Sequence, residues 1–322
     1  MAHRKIETEV EQLGKLREAP REEAIAGLRK ALADRVNLVV AKAARLIAEM
    51  QLRELEPDLL RAFDRLFEKP AERDPQCWAK NAMANALRDL DYRESEPFVR
   101  GFRHVQLEAS YGKPVDTATT LRGICLLSLP GCADLRREDI LRFLVDGLTD
   151  EASTVRTEAA RGLEQMEGEG GALLLRLKAR LGDSEAAVVG QVFDSLLRLE
   201  GERGISFVAG FLQSSSEARD EAALALGSSR LEGGVVVLEN TWESAKEPEY
   251  REVLLRALGL TRQERAREFL LRQVREGRGP DARAALEALA ADRGSPELRR
   301  QAEAAAVEAG PEIEARFRRL FA

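Results

Sequence analysis

Histidine is scarce in this chain. His3 and His104 are the only two among 322 residues, and no HExxH run or paired His-Glu dyad can be assembled from them, so neither imidazole acid–base catalysis nor a histidine metal site is expected. Aromatics make up 5 % of the chain. Val, Ile and Thr never form a sustained alternating run, and most Gly and Pro stand singly, which leaves a sandwich or barrel little to build from. The three cysteines, Cys77, Cys125 and Cys132, have no CxxC spacing. They are expected to be reduced, packed thiols, without a disulfide frame or a zinc site. No uncharged stretch approaches the ~20 apolar residues that a membrane span requires. The start, Met-Ala-His-Arg-Lys-Ile-Glu, leads into a charged helix and not an apolar leader core, so a cytoplasmic protein is expected.

What the chain has is helix-forming residues: 47 Ala, 46 Leu, 40 Glu and 50 Lys plus Arg, together more than half of it. That is an all-α composition. The formal charge of -6 disfavours a dedicated nucleic-acid binder, whose affinity rests on an excess of Lys and Arg. Charge is unevenly spread: residues 140–250 hold 11 basic against 20 acidic residues, and the flanking segments are balanced or slightly basic.

Spacing shows repeats. The segment 144–166, LVDGLTDEASTVRTEAARGLEQM, reads as one helix, a turn carrying Asp150, and a second helix with Val155, Ala159, Ala160 and Leu163 on one face. The same frame recurs at Asp183 with Val188, Val192, Phe193 and Leu196, and then at Ala218, Tyr250 and Ala282, each followed by Arg219, Arg251 or Arg283. Towards the N-terminus it recurs at Asp74 with Ala79, Lys80, Met83, Ala84 and Leu87, and at Asp34 with Val39, Ala43, Ala44 and Ile47. A weaker copy is read at Thr120, Gly123, Ile124 and Leu127. Eight helix pairs of 30 to 40 residues result.

The pattern D-x4-V-R-x2-A-A-x2-L on the second helix of such a pair resembles the HEAT family, and the shorter units are similar to the HEAT-like repeats of phycobilisome lyases. The resemblance implies a right-handed α-solenoid of about eight HEAT-like pairs, second helices lining the concave face. It also implies an Asp–Arg ladder between neighbouring repeats. Both partners are kept at Asp150 with Arg156 and, more loosely, at Asp74 with Lys80; one is kept at Arg219, Arg251 and Arg283; Val40 and Val189 break the ladder, which is expected to be patchy. The di-iron HEAT hydroxylases of the deoxyhypusine type need His-Glu dyads that are missing here.

The expected organisation is a single array: 1–27 an N-terminal cap carrying Ile6, Val10, Leu13 and Leu16; 28–139 longer, aromatic-rich repeats; 140–295 regular short repeats; 296–322 a C-terminal cap carrying Ile313, Phe317, Leu320 and Phe321. Residues 63–111 hold seven of the 16 aromatics, and the connection 106–119 is long. Insertions of this kind map to loops on one face of a solenoid, often the binding face. On the second helix of this region Trp78, Asn81, Asn85 and Arg88 are expected to point away from the core stripe, with Tyr111 in the connection and Arg122 at the equivalent place one repeat on. Indole, amide and guanidinium groups suit recognition of a protein partner. The expected function is a non-enzymatic protein-binding scaffold without cofactor, metal or membrane contact, its oligomeric state open. One alternative is a DNA-binding protein resembling the alkylpurine glycosylases, with Arg45, Arg88, Arg122, Arg161, Arg198 and Arg256 as its basic stripe. The other is a bilin lyase or chaperone. Gly170-Gly171 and Gly233-Gly234 read as turns, and the clusters Glu217, Asp220, Glu221 and Glu243, Glu247, Glu249 as solvated faces.

Overall fold

A computed structural model describes residues 2–166, 168–214, 217–292 and 294–321, with side chains from residue 7 onwards. The chain falls into two compact units, residues 1–166 and 167–322. Unit 1 contains α1 (Ala2–Gly14), α2 (Arg21–Leu32), α3 (Asn37–Glu49), α4 (Glu56–Arg65), the single turn α5 (Pro70–Arg73), α6 (Trp78–Asp89), α7 (Glu96–Phe102), α8 (Thr119–Ser128), α9 (Arg137–Leu148) and α10 (Ser153–Glu164). Unit 2 contains α11 (Glu169–Leu181), α12 (Ala186–Glu200), α13 (Glu202–Ala209), α14 (Ala218–Ser229), α15 (Glu232–Ser244), α16 (Pro248–Thr261), α17 (Glu264–Glu276), α18 (Gly279–Ala290), α19 (Pro296–Ala309) and α20 (Pro311–Leu320). The fold is all-α, built from stacked helix pairs. Among the described residues the strands are two-residue pieces, β1 (Leu107–Glu108) and β2 (Val115–Asp116), paired antiparallel.

Each unit stacks its pairs through their second helices. In unit 1 these are α3, α6, α8 and α10; in unit 2 they are α12, α14, α16, α18 and α20. The reason lies in the small residues at their centres: Ala43 and Ala44, Ala159 and Ala160, Ala222 and Ala223 are completely buried. Without large side chains between them, neighbouring axes approach closely and bury a continuous core that no single short helix could form alone. Gly227 takes this furthest. A Cβ there would lie 2.2 Å from the carbonyl oxygen of Ala257, so α14 and α16 touch through their backbones.

The caps follow the expected stripes. Val10, Leu13 and Leu16 of the N-terminal segment are half-buried, and α1 packs on α3; the Ile6 side chain lies outside the described residues. The C-terminal cap is a helix pair: α20 buries Ile313 and Phe317, and Phe321 follows, in the place of a second helix beside α18. The glycine pairs are not turns. Gly170 and Gly171 open α11, and Gly233 and Gly234 open α15; a Cβ on Gly234 would meet the carbonyl of Leu226 at 3.1 Å.

Two further expectations change. In α8 the buried face is Leu121, Cys125 and Leu126, and Thr120, Ile124 and Leu127 are exposed or half-buried. The frame of this repeat is one residue later than the spacing suggests, which puts Arg122 in register with Lys80 and Arg156. The ladder is also fuller than expected, because its acid need not be the expected Asp. Arg122 pairs with Asp150, Arg219 with Glu247 at 2.8 Å, Arg251 with Asp281 through two bonds of 3.1 and 2.8 Å, and Arg283 with Glu312 at 3.4 Å. Each joins the second helix of one pair to the residues at or before the second helix of the next. Arg156 donates to the carbonyls of Asp150 and Glu151, and the Asp150 carboxylate is held by Arg122.

Replacing Gly227 by Ala tests the close approach. The gain in helix propensity, about 1 kcal/mol, is expected to be outweighed by overpacking against backbone, for a net loss of about 1–3 kcal/mol in urea unfolding. Gly279→Ala, where a Cβ has open space, should stay within about 1 kcal/mol of wild type.

Candidate partner-binding surface

The aromatic-rich stretch ends in a polar knot that fastens the β-hairpin to the start of α6. Asp74 is fully buried and its carboxylate accepts from the backbone N–H groups of Ala79 and Lys80 at 2.9 Å, capping α6, and from the Asn37 amide at 3.0 Å. Its ion pair with Lys80, 3.2 Å, is also fully buried. Between Asp74 and the helix, Gln76 and Cys77 both adopt left-handed backbone conformations, φ 61° and 54°, which cost energy for residues bearing a side chain.

Glu108 of β1 holds this turn. Its carboxylate accepts from the Gln76 N–H at 2.7 Å, from the Gln106 amide at 2.7 Å and from the Thr117 hydroxyl at 2.7 Å. Burial pushes the Glu108 carboxyl up, but these hydrogen bonds outweigh it and hold it below the usual range. Asp116 of β2 behaves the same way: burial raises it, and the Arg122 guanidinium with the N–H groups of Gln106 and Ala118 outweighs that and holds it below the usual range. His104 stacks edge-on against Phe67, 4.9 Å between rings, and bonds Gln106; burial lowers its pKa. It is a satisfied packing residue. The thiols are buried too, with Cys77 pushed up to about 11, Cys132 to about 12 and Cys125 also upward, chiefly by desolvation. They are protonated at neutral pH and unsuited to nucleophilic work.

The candidate residues divide. Trp78, at the first position of α6, is half exposed, and Tyr111, at the hairpin tip, is fully exposed. Arg88 stands at the solvent, 3.5 Å from Asp89. Asn81 and Asn85 are half-buried; the Asn85 amide donates back to the Asn81 carbonyl at 3.1 Å, and the Asn81 side-chain oxygen is enclosed without a partner. Arg122 does not belong with them. It is 7 % exposed and bridges Asp116, the two oxygens of Asp150 and the His104 carbonyl, so its charge holds the hairpin and cannot reach a partner. The misplaced frame of α8 had turned it outward. The spacing also missed Val105, Leu107 and Val115, which are 58 %, 63 % and 52 % exposed; apolar residues flanking a Tyr-Gly-Lys-Pro turn were the available signal. The hairpin contacts Gln76 and Cys77 directly, 2.7 Å from Glu108 and 3.9 Å from Thr117, immediately before Trp78.

Of the six arginines in the expected basic stripe, Arg122 is bound inward and Arg161 is paired with Glu158 at 2.7 Å. Among the described residues no cluster of His, Cys, Asp and Glu is arranged to hold a metal ion, and no described helix is long and apolar enough to cross a membrane.

Two measurements separate framework from surface. Arg122→Ala leaves Asp116 and Asp150 unpaired in a largely buried place and is expected to cost about 3 kcal/mol in denaturant unfolding, whereas Trp78→Ala should change stability by no more than about 1 kcal/mol. Because Glu108 and Asp116 have folded pKa values below their ordinary ones, their contribution is present above that ordinary range and is lost as the pH falls from there through the lowered folded values. Thermal melts from neutral pH down to about pH 3 should therefore show the wild type losing more than Glu108→Gln does.

No family model matches the chain, and no curated protein does. Among solved structures it is similar to human deoxyhypusine hydroxylase in complex with glycerol, at 21 % identity over 77 % of this chain and 88 % of that one, with a TM-score of 0.30.

Proposed function

We propose that this protein is a non-enzymatic scaffold that binds a protein partner, with the surface around Trp78 and the β-hairpin as the contact. The observation that carries this reading is the concentration of exposed apolar side chains. Of the eleven large hydrophobics exposed among the described residues, five are Trp78, Val105, Leu107, Tyr111 and Val115. They are carried by the first turn of α6 and by the hairpin fastened to it, with Leu107 and Val115 on opposite faces of that hairpin; exposed apolar side chains concentrated in one segment mark interaction sites. The patch is carried on a hairpin pinned by charged hydrogen bonds, so little ordering entropy is lost on binding. The HEAT resemblance supports the same work, since repeat arrays offer extended surfaces and no enclosed chamber for chemistry.

The partner this surface suits is a polypeptide with apolar anchors and a carboxylate that can reach Arg88. A nucleic acid suits it less well, because Arg122, which grips the hairpin, is already neutralised by two aspartates and Lys113 is the cation that the hairpin turn itself exposes. Affinity capture from cell extract, quantified for wild type and for Trp78→Ala combined with Tyr111→Ala, tests the assignment. The double variant should fold normally and lose the main captured protein by about tenfold or more. Identical capture by the two proteins would remove this surface from consideration.

A further inference from the structure

Helix α11 carries an apolar stripe that nothing in the described residues covers. Leu173, Leu177 and Leu181 are 62 %, 53 % and 75 % exposed, and their spacing of four stacks them on one face. The other first helices of unit 2 expose at most one large hydrophobic each, Val236 on α15 and Val307 on α19. Beside the stripe stand Glu169 in the first turn and Arg180 in the last. Eleven residues make about three turns, so the two charges lie on the same flank at opposite ends of the helix. Both are exposed. Neither forms an ion pair among the described residues, although the Arg180 guanidinium lies 5.2 Å from the Phe207 ring.

We propose that a second copy of this chain docks on α11, the two helices running antiparallel about a twofold axis. That operation keeps each flank on its own side and reverses its direction, so Glu169 of one copy meets Arg180 of the other, twice, while the leucine ridges pack into one another between these pairs. A parallel twofold would place the Glu169 and Arg180 of one copy on the flank opposite to those of the other, so that neither charge would meet its complement. The charge pattern is therefore self-complementary in one orientation only, and that is what selects a copy of this chain as the occupant. One pair of short helices falls at the small end of stable interfaces, below about 1,200 Å², and a dimer that dissociates in the micromolar range is expected.

Sedimentation equilibrium of the full chain from about 1 to 100 μM reads this directly. Wild type should pass from monomer to dimer. Leu177→Glu, on an exposed position, should leave the circular dichroism spectrum and melt unchanged and weaken dimerisation by more than about tenfold. Arg180→Glu alone should weaken it by about tenfold or more, and adding Glu169→Arg should restore it, because the pair is remade with its signs exchanged. A wild type that stays monomeric throughout, or a dimer indifferent to Leu177→Glu, overturns the proposal. Failure of the double charge exchange to restore association overturns the antiparallel arrangement.

Discussion

The basic residue near the start of most second helices is the contact on which this structure depends. Arg251 shows the full form: it lies 3.7 Å over the Trp242 ring, donates to the carbonyls of Trp242 and Ala245 at the end of α15, and pairs through two bonds with Asp281 at α18. One planar guanidinium thus satisfies carbonyls left orphaned at a helix end, closes its own pair and fixes the register of the next. Lys80, Arg122 and Arg156 do parts of the same work in unit 1. Where Val40 removes the cation, the Asn37 amide takes the Asp74 carboxylate, and Arg65 of α4 reaches the carbonyls of Leu32 and Asp34. There the function is kept although the residue is not.

Such pairs add little net stability, since taking charges out of water offsets most of their attraction. Apolar burial at the alanine-lined contacts supplies the driving force, and the charged bridges hold neighbouring second helices in register. A row of smooth, small-residue helices needs that hold. Backbone contact at Gly227 tolerates no axial shift, and two bonds between Arg251 and Asp281 permit only one orientation.

The candidate surface grows from the same contact. Because Arg122 must hold Asp150 across to the next pair, it is available to grip Asp116, and through it the hairpin that carries Leu107, Tyr111 and Val115. The longer repeats of unit 1 therefore turn a framework bridge into a mount for an exposed loop. Strain at Gln76 and Cys77 is absorbed there as well, by Glu108.

Helical period and the alanine pairs were enough to define the all-α class and the core faces of α3, α6, α10, α12, α14, α16 and α18, because burial on a helix repeats every 3.6 residues and small residues mark close contacts. Trp78 was legible as exposed for the same reason, and Tyr111 from its place in the long connection 106–119. Arg122 was not: a one-residue error in the frame of α8 rotates a side chain by about 100°, and only the packed structure, with Asp116 and Asp150 brought to it from β2 and from the turn before α10, decides which way it points. The acids of the ladder lay equally out of reach, since Glu247 and Glu312 occupy no fixed place in the repeat. The sequence by itself determined the helices and their buried stripes, which are local properties of the chain. Tertiary structure decided which charges meet, because an ion pair depends on distances between segments some thirty residues apart, and no local period encodes them.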